Sequence, residues 1–283
     1  MNLIKSYFLK VYHSPRQLLV HALLAISICY LQLESNHESA LFQNIVRVSR
    51  AETAGKHDTV LINHLMVSIN KMMHDRNDIF KGTESLSFKA RVFQSVDADL
   101  MYGAGACGGF SKVFARALKA AGYTTRIGQM KVNGVYGGHI LLEAYLPSLQ
   151  KWVVMDPLFL LVFTNPNGQW ASFKEVHENW EYYKKQIYYN YNYNYNYNYN
   201  YNYNYNYAGI RYTNWSKIPV LGNLIYKAMV LVKGEEAAKT ISLRPYLIDH
   251  YRFWKWVLII VYGTFTIVSV VYLNKKKEIN ARY

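Results

Sequence analysis

Apolar residues are laid out along this 283-residue chain in three patterns. Two runs are apolar almost throughout: QLLVHALLAISICYLQL at 17 to 33 and WKWVLIIVYGTFTIVSVVYL at 254 to 273. The first is about the minimum length for a bilayer crossing; the second is ample, with Trp254, Trp256 and Tyr272 suited to the two interfaces. Between them, spacings of three and four mark helices. One is predicted from Asp58 to about His74, with Leu61, Leu65, Ile69 and Met72 on one face, and Asp58 as its cap. Another follows Cys107, with Phe110, Val113, Phe114, Ala117, Leu118 and Ala121 as its stripe and Gly122 as its stop.

The third pattern is the strand. TTRIGQMKV at 124 to 132 and GGHILLEAYL at 137 to 146 read as a hairpin around the tight-turn pair Asn133-Gly134, and KWVVMDP follows as a third strand after Pro147-Ser148. Residues 88 to 96 are expected to be extended, leading into a glycine-rich loop. After Pro157 the run 158 to 163 reads as buried, 165 to 168 as a turn, and Ser172 to Glu175 as a capping box opening a helix with Trp180, Tyr182 and Tyr183. From Tyr189 to Tyr207 tyrosine and asparagine alternate without a break, a low-complexity insert rather than a site.

The chain is therefore expected to divide into a basic N-terminus (1–16), a transmembrane helix or signal anchor (17–33), a domain (34–187), the Tyr-Asn insert (188–207), the rest of the exported region (208–253), a transmembrane helix (254–273) and a basic tail (274–283). A net charge of +14 and a pI near 9.5 would fit nucleic acid, but the basic residues flank the apolar runs and no nucleic-acid motif is present. Membrane bias accounts for them. Lys5, Lys10 and Arg16 before the first span, and Lys275 to Lys277 after the second, put both termini in the cytoplasm and residues 34 to 253 outside it.

Cys107 is then the only thiol in the exported part, since Cys29 falls within the first span. It stands at a helix N-terminus among Gly103, Gly105, Gly108 and Gly109, where free N–H groups favour thiolate over thiol. With the 147–148 turn centred between its two residues, Asp156 stands opposite His139; a looser turn sets them on a diagonal that the two side chains still bridge. Cys107 as nucleophile, His139 as general base and then acid, and Asp156 as orienting group make the set that thiol acyl chemistry requires. The Cys107 backbone N–H is expected to serve the oxyanion, with Tyr102 and Gln94 as candidates for a second donor. His57, His64 and His74 are spaced too irregularly for a metal site, and neither metal nor organic cofactor is expected.

The G-x-C-G-G-F-S helix, His139 with Glu143 four residues on, and W-x-x-x-D-P at Trp152 to Pro157 resemble the transglutaminase-like superfamily with its papain-like core, over residues 58 to 160. That resemblance implies an α+β fold, the cysteine helix packed on an antiparallel sheet carrying histidine and aspartate. It further implies acyl transfer or hydrolysis at a peptide or protein amide through a thioester. The chain departs from many members at Gly109 and Leu141. The resulting expectation is a membrane-anchored extracytoplasmic cysteine enzyme of a bacterial envelope. The alternative is a non-catalytic assembly or binding protein of the envelope or of its polysaccharide machinery.

Overall fold

The computed structural model describes residues 14–80, 87–103, 105–191, 207–218, 221–244 and 248–280. Two compact units are present: residues 1–38 with 250–283, and residues 39–249. The basic start of the chain, most of the Tyr-Asn tract and the last three residues lie outside the described residues.

In the first unit, the beginning of α1 (Pro15–Glu52) pairs with α10 (His250–Asn280). His21 meets Tyr262 and Phe265 edge-on, and Lys255 Nζ donates to Gln32 Oε1 at 2.8 Å. Residue numbers rise on one helix as they fall on the other, so the pair is antiparallel. Both helices are long and apolar enough to cross a membrane. Their large side chains, among them Leu19, Leu23, Ile26, Ile260 and Ile267, are exposed where the core helix of a soluble protein would bury them. The structure is thus compatible with a two-span membrane protein.

The second unit is a mixed structure of helices and one antiparallel sheet in the order β4-β3-β2-β1-β5. Its strands are β1 (Thr124–Val132), β2 (Val135–Leu146), β3 (Lys151–Asp156), β4 (Leu161–Val162) and β5 (Ile210–Arg211). Asn133 and Gly134 both take positive φ, 49° and 80°, as the tight turn from β1 to β2 requires. Pairing is continuous to Met130 and His139 and resumes at Lys131 and Tyr136, so Gly137 and Gly138 bulge out of β2. A Cβ on Gly138 would stand 2.6 Å from the Val132 Cβ, which leaves glycine as the residue that fits.

Alternation along β1 to β3 sends side chains to two cores. On one face, α5 (Cys107–Ala120) and α2 (Asp58–Phe80) pack with Phe42 and Val46 against Ile127, Leu142, Ala144, Val153 and Met155. Val113, Phe114 and Leu118 of α5 are fully buried there, each stabilising the fold by about 1.5–3 kcal/mol at most. The other face holds Leu141, Val154, Leu161, Phe163, Phe173 and Tyr183. Helices α6 (Phe173–Glu178) and α7 (Trp180–Tyr191) cover it. The capping box at Ser172 and Glu175 is fully formed. Trp180 and Tyr183 pack against Phe163, so these aromatics belong to the core. Tyr207, at the far end of the Tyr-Asn tract, is buried between Phe163, Phe173 and Trp180.

Two expectations are corrected, and of the two β2–β3 registers left open the looser is the one found. Residues 88–96 are not extended: α3 (Phe88–Phe93) and α4 (Val96–Tyr102) fill most of that stretch, α3 with its first turn capped by the Ser87 hydroxyl. Good helix formers such as Lys89, Ala90 and Arg91 outweigh the β-branched residues there. Helix α2 runs on to Phe80, and its buried stripe is Ile62, Leu65, Met66, Ile69, Asn70 and Met73, with Leu61 and Met72 at its margin. The β2–β3 register sets Leu142 against Met155, which puts Asp156 opposite Leu141 rather than His139. The turn is longer by two residues, both on the β3 side, because residues 147 to 150 carry it, with Gln150 at φ 52°. Beyond the insert, α8 (Gly222–Lys233) and α9 (Glu235–Thr240) precede the second apolar helix.

Candidate functional site

Cys107 is the first residue of α5 and is half-buried. The chain reaches it through Gly103, which ends α4 at φ 60°. Any Cβ on Gly103 would lie 2.3 Å from the Met73 carbonyl, so the close approach of this loop to α2 requires glycine.

What fixes the sulfur is a gap in the sheet. The Val154 N–H donates to the Ala171 carbonyl on the far side of β3, at 3.0 Å, so Val153 and Met155 are the residues that turn their peptide groups toward β2. Their partners Ala144 and Leu142 therefore face β3, and so does Ile140 two residues earlier. The residue that would complete the ladder opposite Ile140 is Pro157, which has no N–H and at which the chain leaves the strand. Helix α5 takes that position. The Ile140 N–H points to the Cys107 sulfur, and the Ser111 hydroxyl donates to the Ile140 carbonyl at 3.0 Å.

His139 and Asp156 are each 1% exposed. His139 Nε2 donates to Asp156 Oδ2 at 2.5 Å across the diagonal that the register creates. With Nε2 engaged, Nδ1 is the ring nitrogen left for the Cys107 sulfur, to which His139 is hydrogen-bonded. Phe159 stacks on the imidazole at 5.5 Å. The second carboxylate oxygen of Asp156 accepts from the Leu158 and Phe159 N–H groups at 3.2 and 3.4 Å. That turn is held in its own right by Asn70 of α2, whose amide donates to the Pro157 and Leu158 carbonyls at 2.8 and 3.0 Å. Every link from α2 to the sulfur is thus a directional bond between buried or half-buried groups.

Burial alone would push the Cys107 thiol up. The hydrogen bond and charge of His139 and the Ile140 N–H outweigh that, against a smaller opposing effect of Asp156, and hold the thiol below its ordinary value. Burial alone would likewise lower His139, but the charge and hydrogen bond of Asp156, followed by those of Cys107, raise it to about 10. Both shifts act in the same direction, toward a thiolate beside an imidazolium and away from the neutral pair.

The remaining candidates lie elsewhere. Gln94 is exposed and ends α3 in the left-handed region, its N–H bonded to the Ala90 carbonyl, so it acts as a helix cap. Tyr102 is half-buried with its ring edge-on to Phe80 at 5.3 Å. Glu143 sits at the centre of a separate buried network. It takes Arg126 Nε at 2.7 Å, the Phe173 N–H at 3.0 Å and the Tyr212 hydroxyl, with Arg126 between the Trp152 and Tyr212 rings. Ser111, Ile140, Asn70 and Phe159 were not among the sequence candidates. Ser111 alone carried a signal there, standing one helical turn after Cys107; the others depend on register and on a helix far away in sequence. No family model, no curated protein and no solved structure matches this chain.

Proposed function

We propose that the protein is a membrane-anchored thiol enzyme of transglutaminase-like type, acting outside the cytoplasm on the acyl group of a peptide or protein amide. The observation that carries this reading is His139, buried between a carboxylate it is bonded to and a sulfur it is bonded to. A structural histidine needs one partner; an imidazole bridging an acid and a thiol is the arrangement that makes and reuses a nucleophile.

In the proposed reaction the Cys107 thiolate attacks the amide carbonyl carbon, forming the S–C bond and moving an electron pair onto oxygen. The Cys107 N–H, free at the helix start, is suited to that oxyanion. Collapse breaks the C–N bond, and the departing nitrogen takes its proton from the His139 imidazolium. Water or an amine, giving a proton back to His139, then attacks the thioester and regenerates the thiolate. Asp156 keeps the charged imidazole in place through both halves. The basic residues outside the two apolar segments, and the antiparallel pairing of those segments, support an exported domain between two crossings.

The test is to mix full-length protein with a pool of peptide and protein amides, quench with acid, and examine the Cys107 peptide by mass spectrometry. An acyl adduct on Cys107 that disappears in His139→Ala supports the reading. An adduct indifferent to His139 contradicts it.

A further inference from the structure

On the face of the sheet that α5 covers, one row of register runs Arg211 on β5, Gln129 on β1 and Ile140 on β2. Ile140 is the residue whose N–H holds the Cys107 sulfur. Arg211 Nη2 donates to Gln129 Oε1 at 3.0 Å, which confirms that the two side chains share that face. Two strand spacings, about 10 Å, separate the backbones of Arg211 and Ile140, a gap that an arginine side chain laid along the row largely closes.

Arg211 is also stacked on Tyr136, its guanidinium 4.8 Å from the ring centre, and Lys131 lies over the same ring at 5.9 Å. Arg244, which follows α8 and α9 in sequence, is half-buried and within electrostatic reach of both Arg211 and Cys107. Burial and the Arg211 charge hold Arg244 below its usual range, opposed by the Cys107 thiolate. Among the described residues no carboxylate forms an ion pair with Arg211, Arg244 or Lys131, and the Arg211 Nε is buried without any hydrogen-bond partner. Elsewhere in this domain a half-buried arginine is matched: Arg126 has Glu143. Two guanidiniums brought together and left unmatched repel one another unless an anion is supplied from outside.

We infer that Arg211 and Arg244 form an anion-binding subsite beside Cys107, so that the acyl substrate carries a carboxylate, phosphate or sulfate near the bond that is broken. The inference deepens the proposed function and rests on it. Guanidinium groups suit such an oxyanion because they present paired N–H donors in one plane.

Iodoacetate and iodoacetamide test it, being nearly the same size and losing the same iodide but differing by one negative charge. In full-length Cys29→Ser protein, the ratio of the iodoacetate to the iodoacetamide rate at Cys107 is expected to fall about tenfold in Arg211→Gln/Arg244→Met, the loss of a charged hydrogen bond. Without any variant, glutarate or inorganic phosphate is expected to protect Cys107 saturably and neutral glutaramide not; which anion protects better separates a carboxylate from a phosphate substituent. An unchanged ratio, or no protection by either anion, overturns the subsite while a depressed pH profile toward iodoacetamide leaves the catalytic reading standing. An ordinary iodoacetamide profile overturns the catalytic reading, and the substrate subsite with it.

Discussion

Cys107 and Ser111, one helical turn apart on α5, take the two ends of a single ladder position: the Ile140 N–H faces the sulfur, and the Ile140 carbonyl accepts from the Ser111 hydroxyl. The helix is thereby docked by the same peptide group that helps hold the thiolate, so positioning and activation of the sulfur share one strand residue.

Ser111→Ala leaves the Ile140 carbonyl without its donor and is expected to cost about 1–3 kcal/mol. Its distinguishing effect is on the thiol. The midpoint of Cys107 alkylation should move up in pH, and Ser111→Thr, which keeps the hydroxyl, should restore it. A loss of stability with an unmoved midpoint would mean that Ser111 only packs.

Asn70 acts at one more remove, tying the turn that follows Asp156 to α2 through two carbonyls. Asn70→Ala is expected to lower stability by about 1–3 kcal/mol and to loosen the Asp156 turn. Thermal unfolding of the full-length protein measures the first. Faster exchange of the Leu158 and Phe159 amides measures the second; exchange no faster than in the unaltered protein would contradict the tie.

His139 gives a pH dependence whose sign follows from its raised value. The stability it contributes is complete below its free pKa of about 6.5 and is lost as pH rises through its folded value of about 10. Measured in Cys107→Ser protein, where the thiol's opposite titration no longer offsets it, the unfolding free energy minus that of the same protein carrying His139→Gln should therefore shrink over the window from about pH 6.5 toward about 10. A difference that grows over this window would refute the raised value.

Glu143→Gln removes the only carboxylate, among the described residues, in contact with Arg126, and leaves that half-buried guanidinium unmatched between two rings. A loss of roughly 3–5 kcal/mol is expected, as for any buried pair broken on one side. Chemical denaturation reads it, and a change under about 1 kcal/mol, the size for an exposed pair, would show the network to be incidental.

Much of the fold was legible in the sequence because its signals are local. The Asn133-Gly134 turn, the capping box at Ser172 and the stripe of α5 each require only a few adjacent residues to agree. The juxtaposition of Cys107 at a helix start with His139 and Asp156 on neighbouring strands was legible for the same reason. What was not legible depends on distant parts. The β2–β3 register is decided by how residues 147–150 turn, and that moved Asp156 from opposite His139 to the diagonal. The buried stripe of α2 was displaced because Asn70, polar in sequence, is turned inward by two carbonyls of the 156–159 turn. Arg211 and Arg244 stand more than a hundred residues after Cys107, beyond a low-complexity tract, and nothing in their neighbourhoods marks them; the β5 pairing brings Arg211 to the face that α5 covers, and Arg244 comes within electrostatic reach of it.

The most direct measurement of the central claim is the pH profile of Cys107 alkylation by iodoacetamide in full-length Cys29→Ser protein, beside His139→Ala and Asp156→Ala. A thiolate–imidazolium pair predicts a midpoint well below the ordinary thiol value of about 8.5, returning toward it when either partner is removed. A midpoint at the ordinary value in all three proteins, or a sulfur inert in all three, would contradict it.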